Sequence, residues 1–198
     1  MRCRTPLRPR ARLIDLILLD VDGVMTDGGI WFVDADREGK RYDAKDGVGL
    51  WLAHRTGLHT GVISGRSGAA IMRRARELRM DEIHLNVEDK LATYVRILRR
   101  RRLRDDQVCY VGDDIVDLPI LERAGMPVAV ADAHAEVVRR ARFVTRAPGG
   151  RGAIREVIDA ILKAQGKWDE VMARFVRGEA SRPHRRRPVT PPGGREPR

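Results

Sequence analysis

Apolar residues in this chain fall into short runs separated by stretches with helical spacing. Residues 14–20 (IDLILLD), 60–64 (TGVIS), 83–85 (IHL), 108–111 (VCYV) and 128–130 (VAV) form the runs. Near-continuous apolar runs predict strands buried on both faces, because a strand with one wet face alternates. Helices are predicted between them, near 47–55, 68–78, 90–102, 116–124 and 134–141, with a last one over 152–165. Strands alternating with helices predict a parallel sheet covered on both faces. Right-handed crossovers make this an α/β, Rossmann-like three-layer sandwich. The active site of such a sheet lies beyond the carboxyl ends of its strands.

One insertion breaks the alternation. After Asp22 the chain reads GVMTDGGIWFVDADREGKRYDAKDG. Residues 30–33 and 40–42 are predicted as two short strands joined by a turn at 34–39, a β-hairpin over about 28–45 that leans across the strand end.

Composition adds bounds. The 198 residues suit one domain with extensions, and a 42% hydrophobic fraction is ordinary for a soluble chain. No apolar run reaches the roughly 18 residues of a membrane span, so no membrane partner is expected. The basic start has no apolar segment behind it, and no secretory signal is expected. Cys3 and Cys109 form neither a disulfide framework nor a metal-ligand spacing, which fits a reducing cytoplasm. The net charge of +11 suggests nucleic acid until it is located. Residues 1–12 hold five arginines and no acid, and residues 177–198 hold seven arginines and two glutamates, which leaves +1 for residues 13–176. The expectation is therefore a folded domain at 13–176, a basic disordered extension at 1–12 and an Arg/Pro-rich disordered tail at 177–198. Nucleic acid is not the expected partner.

The candidate chemistry sits where the runs end. Asp20-Val21-Asp22-Gly23 closes the first run with two carboxylates one residue apart. Buried carboxylates need a cation beside them; the plain alternative is a turn in which Asp bonds its own backbone. Ser64-Gly65-Arg66 closes the second run. A hydroxyl and a guanidinium beside glycine suit a phosphoryl group, although a strand-to-helix turn also uses such residues. Lys90 opens a helix, against the dipole preference, and a nearby anionic site would explain it. Gly112-Asp113-Asp114-Ile115-Val116-Asp117 closes the fourth run with three acids, more than one helix cap requires. Oxygen ligands gathered at strand tips suit Mg²⁺, a hard ion that pairs with phosphate.

DxD, then Ser, then Lys, then GDDxxD, each after a successive strand, resembles the haloacid dehalogenase superfamily along nearly all of residues 14–165. The resemblance implies that Asp20 is the nucleophile and passes through an aspartyl-phosphate. It implies that Asp22 is the general acid and then the base, and that Ser64 donates to the phosphoryl group. Lys90 would steady Asp20 and the phosphoryl oxygens. Mg²⁺ would be held by Asp20, Asp113 and the main-chain carbonyl of Asp22, with Asp114 and Asp117 orienting Lys90 or the metal's waters.

Neither gap between these motifs has room for a cap domain. A finer resemblance, to the 3-deoxy-D-manno-octulosonate 8-phosphate phosphatase family, is carried by DVDGVMTDG (20–28), YDAKDGVG (42–49), ISGR (63–66), GDDIVD (112–117), AVADAH (129–134) and GGRGAIREVIDAILKAQ (149–165). Met25 departs from the leucine usual there. This resemblance implies a capless homotetramer in which subunits complete one another's sites, built on the hairpin. The glycine-rich 149–152 segment and the C-terminal tail would contribute to the closing surface. It implies substrate contacts at Asp22, Asp43, Ala44, Lys45, Asp46, Gly47, Trp51, Arg66, Arg74, Lys90 and Val116. The substrate would be a sugar acid phosphate of cytoplasmic lipopolysaccharide synthesis. A nine-carbon relative of that substrate, or a non-catalytic scaffold whose basic tails bind polyanions, are the other readings open at this point.

Overall fold

Leu16, Ile17, Leu18 and Leu19 are fully buried and form the central strand of the sheet, as a run without polar interruptions requires. The computed structural model describes residues 2–3, 7–34 and 38–179. The chain runs β1 (Arg2–Cys3), α1 (Leu7–Ala11), β2 (Leu16–Leu19), β3 (Trp31–Phe32), β4 (Glu38–Gly39), α2 (Ala44–Arg55), β5 (His59–Ile63), α3 (Ala69–Glu77), β6 (Glu82–His84), α4 (Lys90–Arg101) and β7 (Val108–Gly112). It continues through α5 (Leu118–Leu121), β8 (Met126–Ala129), α6 (Ala135–Arg140), β9 (Phe143–Val144), α7 (Ala153–Ala164) and α8 (Trp168–Val176).

The main sheet has the order β1-β9-β8-β7-β2-β5-β6. Strands β9 to β6 in that order are parallel, and β1 adds antiparallel to β9. β2 pairs with β5 on one side and with β7 on the other. The chain leaves β2 in one direction and returns on its other flank, so a crevice opens beyond its carboxyl end.

Alternation divides the core. Ile17, Leu19, Cys109 and Val111 face a layer that contains Leu50 and Ala53 of α2 and Ile154, Val157, Ile158 and Ile161 of α7. Leu16, Leu18, Val108 and Tyr110 face Tyr94 and Ile97 of α4, Ile120 of α5 and Val137 of α6. Each fully buried Leu, Ile or Val contributes roughly 1.5–3 kcal/mol, which is why this sheet defines the fold.

Among the described residues, only the small sheet β3-β4 and α2 stand between β2 and β5, and only α3 and β6 between β5 and α4. The fold is the expected capless α/β sandwich with a hairpin insertion. The hairpin strands are Trp31–Phe32 and Glu38–Gly39, shifted and shorter than predicted. The helix predicted at 116–124 is a 3₁₀ turn at Ile115–Asp117 followed by the short α5, with Pro119 near its start where a missing N–H costs little.

The N-terminal extension departs from expectation. Residues 7–11 are helical, Ala11 is fully buried, and Arg2–Cys3 joins the sheet edge. The arginines explain this. Arg10 Nη1 donates to Gly125 O at 2.9 Å, and Arg12 Nε donates to Ala164 O, at the end of α7, at 3.1 Å. At Ala164 the cation satisfies a free acceptor at a helix carboxyl end and complements the dipole, whereas Gly125 lies in the loop before β8. Composition suggested a solvated tail because it cannot show which carbonyls are near. α8 was also not foreseen; its Trp168, Val171 and Met172 pack on the core. The tail expected at 177–198 lies, from residue 180 onward, outside the described residues.

Candidate active site

Asp20 follows the last residue of β2, and its backbone N–H donates to Val111 O at 3.0 Å. The DxD, Ser-Gly-Arg, Lys and GDDxxD segments converge there. A cleft of about 550 Å³ is lined by Asp20, Asp22, Gly23, Gly28, Ser64, Arg66, Lys90, Asp113, Asp114 and Val116, among others.

Two glycines make this convergence possible. Gly23 has φ +82°, and a Cβ there would stand 2.0 Å from Asp113 Oδ2. A Cβ on Gly112 would stand 2.5 Å from Asp117 Oδ2. Each glycine leaves room for a carboxylate against the backbone. Behind the loop, Gly149 packs so closely that a Cβ would fall 1.7 Å from Gly23 O, and Gly150 N donates to Val24 O at 2.9 Å. The glycine-rich 149–152 segment thus buttresses the loop after the DxD motif.

Lys90 is buried. Its ammonium lies 3.0 Å from Asp20 Oδ1 and 2.8 Å from Asp117 Oδ1. Those two carboxylates explain a lysine at a helix start. Burial works against its charge, but Asp20 and Asp117 outweigh burial and hold its pKa above the ordinary value. Asp117 is fully buried and accepts from three donors: Lys90 Nζ, Tyr110 Oη at 2.7 Å and the backbone N–H of Asp113 at 3.1 Å. Burial, and next the charge of Asp117, push Asp20 up to about 6. Burial, then Asp20, Asp117 and Asp114, push Asp113 up to about 8.

Carboxylate oxygens of Asp20, Asp113 and Asp117 lie within 4.8 Å of one another. Both oxygens of Asp117 are occupied by hydrogen bonds, whereas Asp113 Oδ1 is buried without a hydrogen-bond partner. Crowded carboxylates carrying raised pKa values and an orphaned oxygen fit a hard divalent cation such as Mg²⁺, with Asp20 and Asp113 as side-chain ligands. The Asp22 side chain turns elsewhere: its Oδ1 pairs with Lys40, and Arg66 Nε lies 3.7 Å from its Oδ2. Ser64 is buried, and its Oγ accepts the Arg66 N–H at 3.2 Å, which leaves the hydroxyl proton free to donate. Asp114 is exposed and accepts the N–H of Ile115 at 2.7 Å, capping the 3₁₀ turn.

The other expected substrate contacts stand apart from this cleft. Asp43 caps α2 through Lys45 N at 2.7 Å, and Lys45 itself is exposed. Both Asp46 oxygens accept backbone N–H groups at the start of α7, from Gly152 at 3.2 Å and Arg155 at 2.8 Å. Its carboxylate is committed to joining α2 to α7. Trp51 is half-buried on α2, edge-on to Phe175 at 5.4 Å and under the Arg55 guanidinium at 5.2 Å, so its ring serves packing against α8. Arg74 lies over the Tyr42 ring at 5.6 Å and against Gly47, with its Nε buried and unpartnered. Ala44 opens α2 between these groups.

Three residues of this network were not foreseen. Tyr110 looks like any core residue of an apolar strand, and only its hydroxyl reaches Asp117. Glu38 and Lys40 had no motif around them; the single signal was a charged pair spaced by two in the hairpin segment.

Comparison with known proteins agrees with this geometry. Residues 79–158 match the family model of haloacid dehalogenase-like hydrolases. A 3-deoxy-D-manno-octulosonate 8-phosphate phosphatase of Escherichia coli K12 is 38% identical over 167 residues, 84% of this chain and 89% of that protein. The crystal structure of the phosphatase of that name from Yersinia pestis superposes with a TM-score of 0.81 at 39% identity, covering 82% of this chain and 88% of that one. A Moraxella catarrhalis structure of that name, in complex with magnesium ion, phosphate ion and KDO, gives a TM-score of 0.83 at 34% identity, over 85% and 97% of the two chains. With a site of this composition and likeness over most of its length, the chain belongs to the 3-deoxy-D-manno-octulosonate 8-phosphate phosphatase family of haloacid dehalogenase-like hydrolases.

Proposed function

We propose that the protein hydrolyses 3-deoxy-D-manno-octulosonate 8-phosphate to KDO and phosphate, with Mg²⁺, in cytoplasmic lipopolysaccharide synthesis. The observation that carries this reading is Asp20 held at the strand end by the buried Lys90 and faced by Asp113, at one edge of an open cleft that also holds Ser64 and Arg66.

Asp20 attacks phosphorus, and the bond from phosphorus to the C8 oxygen breaks. Asp22 gives its proton to the leaving alkoxide. Water then attacks the aspartyl-phosphate, Asp22 takes the water's proton, and phosphate leaves with Asp20 restored. Lys90, with its ammonium 3.0 Å from Asp20 Oδ1, favours the ionised carboxylate that attacks. Lys90 balances its charge and that of the equatorial oxygens, and Ser64 donates its hydroxyl proton to one of them. Asp20, Asp113 and the Asp22 carbonyl would hold Mg²⁺, which would supply further neutralisation of the phosphoryl group. Arg66, at the rim, suits the sugar-acid carboxylate.

An uncapped cleft needs a cover to exclude water. Ile30, Trp31, Phe32 and Val33 of the hairpin are all exposed, Phe32 by 76%, an apolar strip that supports assembly into a tetramer. The deciding experiment is phosphate release with Mg²⁺ from the eight-carbon and the nine-carbon sugar acid phosphates at equal concentration, with light scattering on the same sample. Preference for the eight-carbon ester from a tetramer is expected, and Asp20→Asn abolishes it. Preference for the nine-carbon ester would change the substrate but keep the chemistry. No release from either, or full activity of Asp20→Asn or of a monomer, would overturn the corresponding part.

A further inference from the structure

The hairpin makes two contacts with the site that the reaction scheme leaves unused. The Lys40 side chain is 1% exposed, and its ammonium pairs with Asp22 Oδ1. A buried ammonium needs an anionic partner, and among the described residues Asp22 is the one bonded to it. Two residues earlier, Glu38 pairs with Arg66, whose Nε also lies 3.7 Å from Asp22 Oδ2. Residues spaced by two on an extended segment point to the same side. Glu38 and Lys40 therefore reach the cleft together, and the charges run Lys40, Asp22, Arg66, Glu38 in alternation.

These contacts meet the two cleft groups least held by their own loops. Asp22 Oδ2 is buried without a hydrogen-bond partner, and Arg66 is 44% exposed on the loop after β5. Asp22 needs one rotamer, because proton transfer needs a heavy-atom approach of about 2.6–3.2 Å. The long Arg66 side chain loses rotamer freedom whenever it engages a ligand, and a partner that holds it beforehand lowers that cost. The Lys40 pair is part-buried, with the ammonium itself shielded, and fixes geometry more strongly. The Glu38 pair is partly solvated and serves orientation more than stability.

We propose that Lys40 and Glu38 are positioning residues: Lys40 aims the ionised Asp22 carboxylate at the water that attacks the aspartyl-phosphate, and Glu38 aims Arg66 at the sugar-acid end of the substrate. The hairpin is then part of the site of its own subunit, besides any role in assembly. This inference rests on the phosphatase reading and deepens it.

The test compares full-length Lys40→Met, Lys40→Arg and Glu38→Gln with the parent, with Mg²⁺, on 3-deoxy-D-manno-octulosonate 8-phosphate and on p-nitrophenyl phosphate. Thermal melting and light scattering establish fold and assembly. Lys40→Met is expected to lose about 10- to 100-fold in kcat on both esters with KM little changed, the loss a misplacement of about 1 Å produces. Lys40→Arg restores most of it. Glu38→Gln is expected to do the reverse, raising KM for the sugar acid phosphate about tenfold, as for one charge-assisted contact, with p-nitrophenyl phosphate unaffected. A folded, assembled Lys40→Met with parental kcat, or a Glu38→Gln that shifts both esters alike, would overturn the proposal. Should Lys40→Met fail to fold, Lys40→Gln is read by the same criterion. A parent that releases phosphate from neither ester would defeat the phosphatase reading instead, which separates the two failures.

Discussion

Replacing Asp117 by asparagine keeps the shape of a fully buried side chain and removes its charge. Oδ1 takes Lys90 Nζ at 2.8 Å and Tyr110 Oη at 2.7 Å, and Oδ2 takes the Asp113 N–H at 3.1 Å. If the amide oxygen takes the Oδ1 position, its NH₂ faces the Asp113 N–H, and one donor is left without an acceptor. That costs about 1–3 kcal/mol. If the amide flips, NH₂ faces the ammonium and the Tyr110 hydroxyl, which is worse. In either case Lys90 keeps only Asp20 as an anionic partner, and a charge-assisted bond falls to an ordinary one, about 1 kcal/mol more. Relief of repulsion on Asp20 and Asp113 offsets part of this, since Asp117 raises both their pKa values. We expect a net loss of about 2–4 kcal/mol. Urea unfolding followed by circular dichroism, at fixed protomer concentration without Mg²⁺, measures it as a lowered midpoint with unchanged slope. A loss below about 0.5 kcal/mol would refute the reasoning, because it would mean that the three bonds to Asp117 add nothing to the folded state.

In metal-free protein Asp113 titrates at about 8 and Asp20 at about 6, against an ordinary 3.8. A cation needs both ionised, so Mg²⁺ affinity should rise from pH 6 to pH 8 and level off above, with proton release measurable by calorimetry in two buffers at pH 7; a flat profile would contradict it. The folded state holds these protons to higher pH than the unfolded chain, so the contribution of Asp113 and Asp20 to metal-free stability falls as pH rises from about 4 to about 8; the melting temperature of the parent relative to Asp113→Asn should drop over that window, and a difference that grows would refute the assignment. Gly149→Ala should cost several-fold in activity and lower the melting temperature, because its Cβ would sit 1.7 Å from Gly23 O; an unaffected variant would show that the segment does not brace the DxD loop.

Much of this protein was legible along the chain. Apolar runs without alternation belong to strands covered on both faces, so 14–20 and 108–111 announced central strands, and β2 and β7 lie side by side in the middle of the sheet. The motifs at their ends followed, because a parallel sheet brings all its carboxyl ends to one edge. Local patterns also announced the hairpin, the absence of a cap and the glycine-flanked acids.

Tertiary structure decided which polar groups meet. Asp46 and Asp113 are both aspartates in glycine-rich surroundings, yet one bonds the start of α7 and the other faces Asp20. Arg12 looks like a solvated tail residue and instead caps α7 across a separation of 152 positions. Lys40 and Asp22 are 18 positions apart with no periodicity to join them. Hydrophobic burial is non-directional and leaves a repeating pattern in the sequence, so the fold can be read from it. A hydrogen bond or ion pair depends on a few tenths of an ångström between groups from different elements, and that distance exists only once the elements have packed.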